Sequence, residues 1–139
     1  MNRLLMNERK RNHVRFLFAG ETPEWLPDDE GERIRWAESE FNRLREDPSA
    51  RRLSLFSNRK KGYLVSVWTL GGKTYVIQCL RTISGETYVS TIYLGLSESD
   101  ALAVAKFLRE NADTIMRDYR KQILDARDAL LNDASTPRA

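Results

Sequence analysis

The chain has 139 residues, 41% hydrophobic and 31% charged, with a formal net charge of +3, a size and balance that suit one globular domain around a single hydrophobic core. No apolar run approaches the roughly 18 residues needed to span a bilayer, and Met1-Asn2-Arg3-Leu4-Leu5-Met6 passes at once into charge, so no membrane span and no signal peptide are expected. One cysteine, Cys79, excludes an internal disulfide framework and fits a reducing cytoplasm.

The small net charge conceals blocks. Residues 51–95 carry Arg51, Arg52, Arg59, Lys60, Lys61, Lys73 and Arg81 against Glu86 alone, whereas residues 21–47 carry ten acids against four arginines. Residues 3–15 are basic again, with Arg3, Arg9, Lys10, Arg11 and Arg15 against Glu8. Blocks of this kind produce local potentials far larger than the net charge.

In chain order, residues 1–29 read as a basic arm and loop. Within it, Val14–Ala19 has the composition of a short strand, and Pro23 and Pro27 mark the loop. Asp28 or Asp29 then caps a helix over 30–46, in which Ile34, Ala37, Phe41 and Leu44 recur at helical spacing. Asp47-Pro48 ends it, because the residue before a proline is pushed out of helical geometry. Four β-rich runs follow, at 52–58, 62–70, 73–83 and 86–94, and the pairs Gly71-Gly72 and Ser84-Gly85 are two-residue hairpin turns. The reading is therefore an α+β domain over 30–132, with a four-stranded antiparallel meander preceded by one helix and followed by another.

Two-residue turns set register, and register sets faces. Leu70 opposite Lys73 places Trp68 against Tyr75 and Leu64 against Cys79. Ile83 opposite Glu86 places Arg81 against Tyr88, Cys79 against Ser90 and Ile77 against Ile92. One face then gathers Leu64, Trp68, Leu70, Tyr75, Ile77, Cys79, Tyr88, Ile92 and Leu94, an apolar surface assigned to the C-terminal helix. The other mixes Tyr63, Val65, Val67, Val76, Gln78, Leu80, Val89, Thr91 and Tyr93. It is either half-covered by the 30–46 helix or open to a partner.

Ser97 and Asp100 form a capping box that starts a helix running to about residue 132 without proline or glycine. At 1.5 Å per residue it is on the order of 50 Å long, against about 33 Å for a ten-residue strand. The sheet cannot cover it all, so the stripe continuing through Tyr119, Ile123, Ala126 and Leu130 predicts a homodimer interface. Residues 133–139 are a polar tail.

Catalytic chemistry finds little support. His13 is the only imidazole, and with one cysteine it cannot complete a zinc cluster within one chain. Gly71-Gly72 is not followed by the lysine and serine or threonine of a phosphate loop. No enzyme, metal or cofactor is expected.

Four antiparallel strands, then Leu94-Gly95-Leu96-Ser97-Glu98-Ser99-Asp100-Ala101-Leu102 and a long helix, give an order that resembles the PC4-like single-stranded-DNA-binding family. Lys61-Gly62-Tyr63-Leu64-Val65-Ser66-Val67-Trp68 looks like that family's early strand. The resemblance covers about residues 51–120, and the chain departs from it by some fifty residues in front. It implies a dimer formed through the helix and a sheet that holds single strands with basic and aromatic side chains. Arg52, Arg59, Lys60, Lys61 and Lys73 would then meet phosphates, Tyr63 and Tyr93 would stack bases, and Gln78 and Thr91 would hydrogen-bond between them. The competing expectation is a phage- or plasmid-type protein-interaction module, an inhibitor or adaptor, in which the acidic stretch 21–47 mimics nucleic acid.

Overall fold

The computed structural model describes residues 14–81 and 85–135, and in the last helix the backbone alone at 123, 126–130 and 132–135. Among the described residues the chain is α+β, with five strands and three helices: β1 (Arg15–Phe18), α1 (Glu30–Glu46), β2 (Arg51–Asn58), β3 (Tyr63–Leu70), β4 (Lys73–Arg81), β5 (Thr87–Leu94), α2 (Glu98–Glu110) and α3 (Ala112–Ser135). The strands form one sheet in the order β1-β5-β4-β3-β2. The meander β2 to β5 is present, and β1 extends it as an edge strand parallel to β5, Phe16 beside Ile92. The sheet thus begins inside the stretch read as arm and loop. No helix among the described residues is long and apolar enough to cross a membrane.

The starts of α1 and α2 follow local chemistry. Asp29 accepts the Glu32 amide at 3.0 Å, with Glu30 and Glu32 in the first turn and Arg43 and Arg45 in the last, so both ends complement the helix dipole. Asp47 takes extended geometry before Pro48 and stops α1. Ser97 accepts the Asp100 amide and starts α2. The expected single C-terminal helix is instead two. Asn111 donates its side-chain amide to the Phe107 carbonyl at 2.8 Å, and its own amide also turns back to Phe107 and Arg109. A short polar side chain competing for helical carbonyls interrupts the run without proline or glycine.

Register from β3 to β4 is as expected, with Leu70 beside Lys73, Trp68 beside Tyr75 and Leu64 beside Cys79. From β4 to β5, Ile77 faces Ile92, but a bulge beyond Gln78 sets Cys79 against Val89, Leu80 against Tyr88 and Arg81 against Thr87. The expected partners of Cys79 and Arg81 are each displaced by one residue. Ser90 is the extra residue, so Tyr88 and Val89 exchange faces. Val89 joins the cluster with Ile77 and Cys79, and Tyr88 packs on the opposite side.

The layers are also exchanged relative to expectation. The apolar face, with Trp68, Tyr75, Ile77, Cys79, Ile92 and Leu94, packs under Ala37, Phe41 and Leu44 of α1. The mixed face, with Tyr63, Val65, Val67, Val76 and Leu80, packs under Ala101, Ala105 and Leu108 of α2 and Ala112, Met116 and Tyr119 of α3. From Ala101 to Tyr119 the stripe read on the C-terminal helix packs on the sheet, and its small residues let it lie on a face that carries polar groups. The sheet is therefore covered on both sides.

Candidate functional site

The would-be stacking face is a core. Tyr63 is 2% exposed, Thr91 4% and Gln78 7%, and Tyr93 is half-buried. The Tyr63 hydroxyl donates to Gln78 Oε1 at 2.9 Å and approaches the Leu108 carbonyl at 3.4 Å. Gln78 Nε2 donates to Ser90 Oγ at 3.0 Å and lies 3.4 Å from Thr91 Oγ1, while Ser90 Oγ donates to the Gln78 carbonyl. Burial pushes the Tyr63 phenol well above its ordinary range, helped by Tyr93. These polar groups satisfy one another beneath α2. Assigning Tyr63, Gln78 and Thr91 to base contacts is thereby corrected: α2 occupies the space a base would need.

On the opposite face the bulge is closed by α1. The Val89 amide donates to Glu38 Oε1 at 2.9 Å, giving a partner to a main-chain group next to the bulge. Cys79 beside it has its thiol pushed up to about 12, first by burial and then by Glu38, with Arg45 opposing. A buried protonated thiol is a small apolar side chain, which is how the sequence reads.

The predicted cations separate into two ends. Arg59, Lys60 and Lys61 form the β2–β3 turn, where Gly62 at φ +71° lets the chain reverse and its carbonyl accepts the Arg81 amide. Arg81 Nη2 donates to the Lys60 carbonyl at 3.1 Å. Arg120 Nη2, from α3, donates to the Lys61 carbonyl at 3.2 Å, and Lys61 pairs with Asp113. Arg117 and Lys121 line the same groove, an open depression of about 760 Å³ also bordered by Met116, Leu124 and Asp125. Residues 117, 120 and 121 share one helical face, so α3 brings Arg117, Arg120 and Lys121 to the turn. Asp113, Asp118 and Asp125 offset part of this charge, Lys121 bonding Asp125 at 2.7 Å.

Lys73 opens β4 just past the far end of β3, about 27 Å away at ~3.4 Å per residue. Arg52 sits with its guanidinium 6.0 Å from the Trp68 ring. Neither belongs to the basic end. The sequence reading missed Arg81, Arg117, Arg120 and Lys121 as members of that end. The 117, 120, 121 spacing was a signal, but their meeting with a turn more than fifty residues earlier was not.

The predicted dimer contact divides similarly. Tyr119 is 9% exposed within one chain, its ring 6.2 Å from Tyr88. It is an intrachain core residue, because α3 packs back onto the sheet end instead of overhanging from its first turn. The side chains of Ile123, Ala126 and Leu130 lie outside the described residues. Among the described side chains of α3, the exposed large apolar groups are Leu124 and Leu131. Among the described residues no group of three or more histidine, cysteine or acidic side chains is placed to hold a metal ion. Comparison with protein-family models, curated proteins and solved structures returns no match.

Proposed function

We propose that the chain is a non-catalytic nucleic-acid-binding protein that holds the phosphate backbone at the basic end. The observation that carries this reading is that Lys61, Arg117, Arg120 and Lys121 line one open groove, while Arg59, Lys60 and Arg81 sit at the β2–β3 turn to which Arg120 is bonded. Two of these arginines are anchored by main-chain carbonyls of the turn, so their positions are ordered in advance and cost less entropy to use. Arginine and lysine in a groove match phosphate chemistry. Such contacts orient a strand without reading bases.

The test is fluorescence anisotropy with labelled single- and double-stranded oligonucleotides over a range of salt, since backbone contact alone does not choose between them. Lys60→Ala with Arg117→Ala should weaken binding to every sequence alike. It should also flatten the salt slope by roughly 1.5, the effect of two lost phosphate contacts. Arg35→Ala, exposed on α1, should do neither. Absence of wild-type binding at low salt refutes the proposal.

A second reading, docking on protein, is favoured by Leu124 and Leu131, which are 47% and 53% exposed. Seven residues apart, they share a face of α3, and a second copy of the chain is the partner we favour. Apolar docking would persist at high salt, where phosphate binding fails. Light scattering at about tens of micromolar, where a standard-sized dimer persists, tests self-association.

A further inference from the structure

At the end of the sheet opposite the basic groove, four aromatic rings form a connected wall. Trp25, in the loop after β1, lies on Trp36 of α1 with ring centroids 4.8 Å apart and 30° between planes. Phe18 meets Trp25 edge-on at 6.2 Å and 80°, and Phe16 leans on Trp36 at 5.5 Å. Trp25 is nevertheless 52% exposed. A wall built by four ring contacts, Phe16 on Phe18 being the fourth, holds an open indole in place without covering it.

That wall bounds a cleft of about 640 Å³, closed on the other side by Gly72, Lys73, Tyr75 and the end of β5. The volume is that of a small-molecule site. Its lining carries two acids and two bases, but their hydrogen-bonding groups are unequally committed. Glu40 is engaged by Arg43 at both oxygens, Nε at 2.9 Å and Nη2 at 2.8 Å, and Nη2 also approaches the Tyr75 hydroxyl at 3.4 Å. Arg43 Nη1 keeps two N–H groups that no described residue takes up, and Lys73 stands exposed at the rim. Among the described residues, Glu21 is the only lining carboxylate outside the Glu40–Arg43 pair. A flat aromatic surface next to unspent cationic donors matches a flat ring that carries an anion. An aliphatic ligand would leave the cations unused. A cationic one would face Lys73 and Arg43 with Glu21 alone to favour it.

We propose that this cleft binds a nucleotide unit, its base laid on the open ring of Trp25 and its phosphate between Lys73 and Arg43 Nη1. The site shares no residue with the basic end and does not depend on it.

Calorimetry and tryptophan fluorescence with adenosine monophosphate test the assignment, with adenosine, inorganic phosphate and a single-stranded oligoadenylate as parallel arms. The expected result is saturable binding and quenching by the monophosphate, weaker binding of adenosine, and none of phosphate at equal concentration. Trp25→Ala should lower calorimetric affinity on the order of tenfold, the effect of one lost stacking contact. Lys73→Ala, at the exposed start of β4, should lower monophosphate affinity toward that of adenosine and leave adenosine unchanged. Displacement of the monophosphate by oligoadenylate assigns the nucleotide to a strand, and failure to displace assigns it to the free pool. No saturable binding, equal affinity for adenosine and its monophosphate, or an unaltered Trp25→Ala variant overturns the proposal. The Lys60→Ala, Arg117→Ala protein should keep monophosphate binding, so failure at one site is distinguishable from failure at the other.

Discussion

Tyr63→Phe, Gln78→Met and their combination test whether the mixed face of the sheet is a sealed core. Tyr63→Phe removes the donor that Gln78 Oε1 accepts at 2.9 Å and leaves a buried amide oxygen without it. The lost bond and the orphaned acceptor together cost about 1–3 kcal/mol. Gln78→Met should cost less than a full orphan. The Tyr63 hydroxyl keeps the Leu108 carbonyl at 3.4 Å, and Ser90 Oγ keeps the main-chain carbonyl of residue 78. In the double variant no amide oxygen remains to be orphaned. The combined cost should fall short of the sum by about 1 kcal/mol or more, the size of coupling found between residues in one hydrogen-bond network. Urea titration followed by circular dichroism measures each term, with an unchanged m-value showing that the native fold persists. If Tyr63→Phe costs under about 0.5 kcal/mol, the range of exposed substitutions, and the two changes add, the face is open and the layer assignment is wrong.

Two further outcomes follow from single positions. Gly62→Ala combines a positive φ of +71° with a Cβ only 2.6 Å from Arg81 Cβ, whereas Gly72→Ala has φ +76° and nothing within 4 Å. Both should incur the left-handed penalty of roughly 1–2 kcal/mol, and Gly62→Ala should lose more in chemical denaturation and also weaken oligonucleotide binding, because it displaces Arg81; equal losses would refute the contact. The Cys79 thiol, raised from 9.0 to about 12 by burial and Glu38, stays protonated in the folded state while the unfolded thiol ionises. Its contribution is therefore intact below about pH 9 and is lost toward pH 12, with a slope of at most about 1.4 kcal/mol per pH unit. Wild type should lose stability faster than Cys79→Ala between pH 9 and 10, and native Cys79 should resist thiol reagents; matching slopes would count against the buried, protonated thiol.

Much of this fold is local and was legible. Asp29 and Ser97 supply an acceptor to amides a helix cannot bond internally, and Asp47-Pro48 forbids continuation, so those boundaries follow from a few adjacent residues. Gly71-Gly72 closes a hairpin whose register follows by counting, which placed Trp68 and Tyr63 on opposite faces. The cations of the β2–β3 turn were equally visible as a run. What pattern could not decide is which helix covers which face. Each helix presents an apolar stripe, each sheet face is apolar enough to receive one, and local sequence favours neither pairing. Tertiary packing chose α2 and α3 for the mixed face, where the Tyr63–Gln78–Ser90 network is satisfied internally, and α1 for the other, where Glu38 reaches the Val89 amide at the bulge. That bulge inserts Ser90 and reverses the alternation beyond it, a one-residue event that periodicity does not register. Asn111 likewise breaks the last helix through a side-chain bond, not through a residue type that forbids helix. The basic end and the tryptophan cleft join residues far apart in the chain, and such joins exist only once long-range burial has brought the elements together. Local chemistry therefore determined the elements and the β3–β4 register of this protein, while packing between its layers determined which surfaces remain open to a partner.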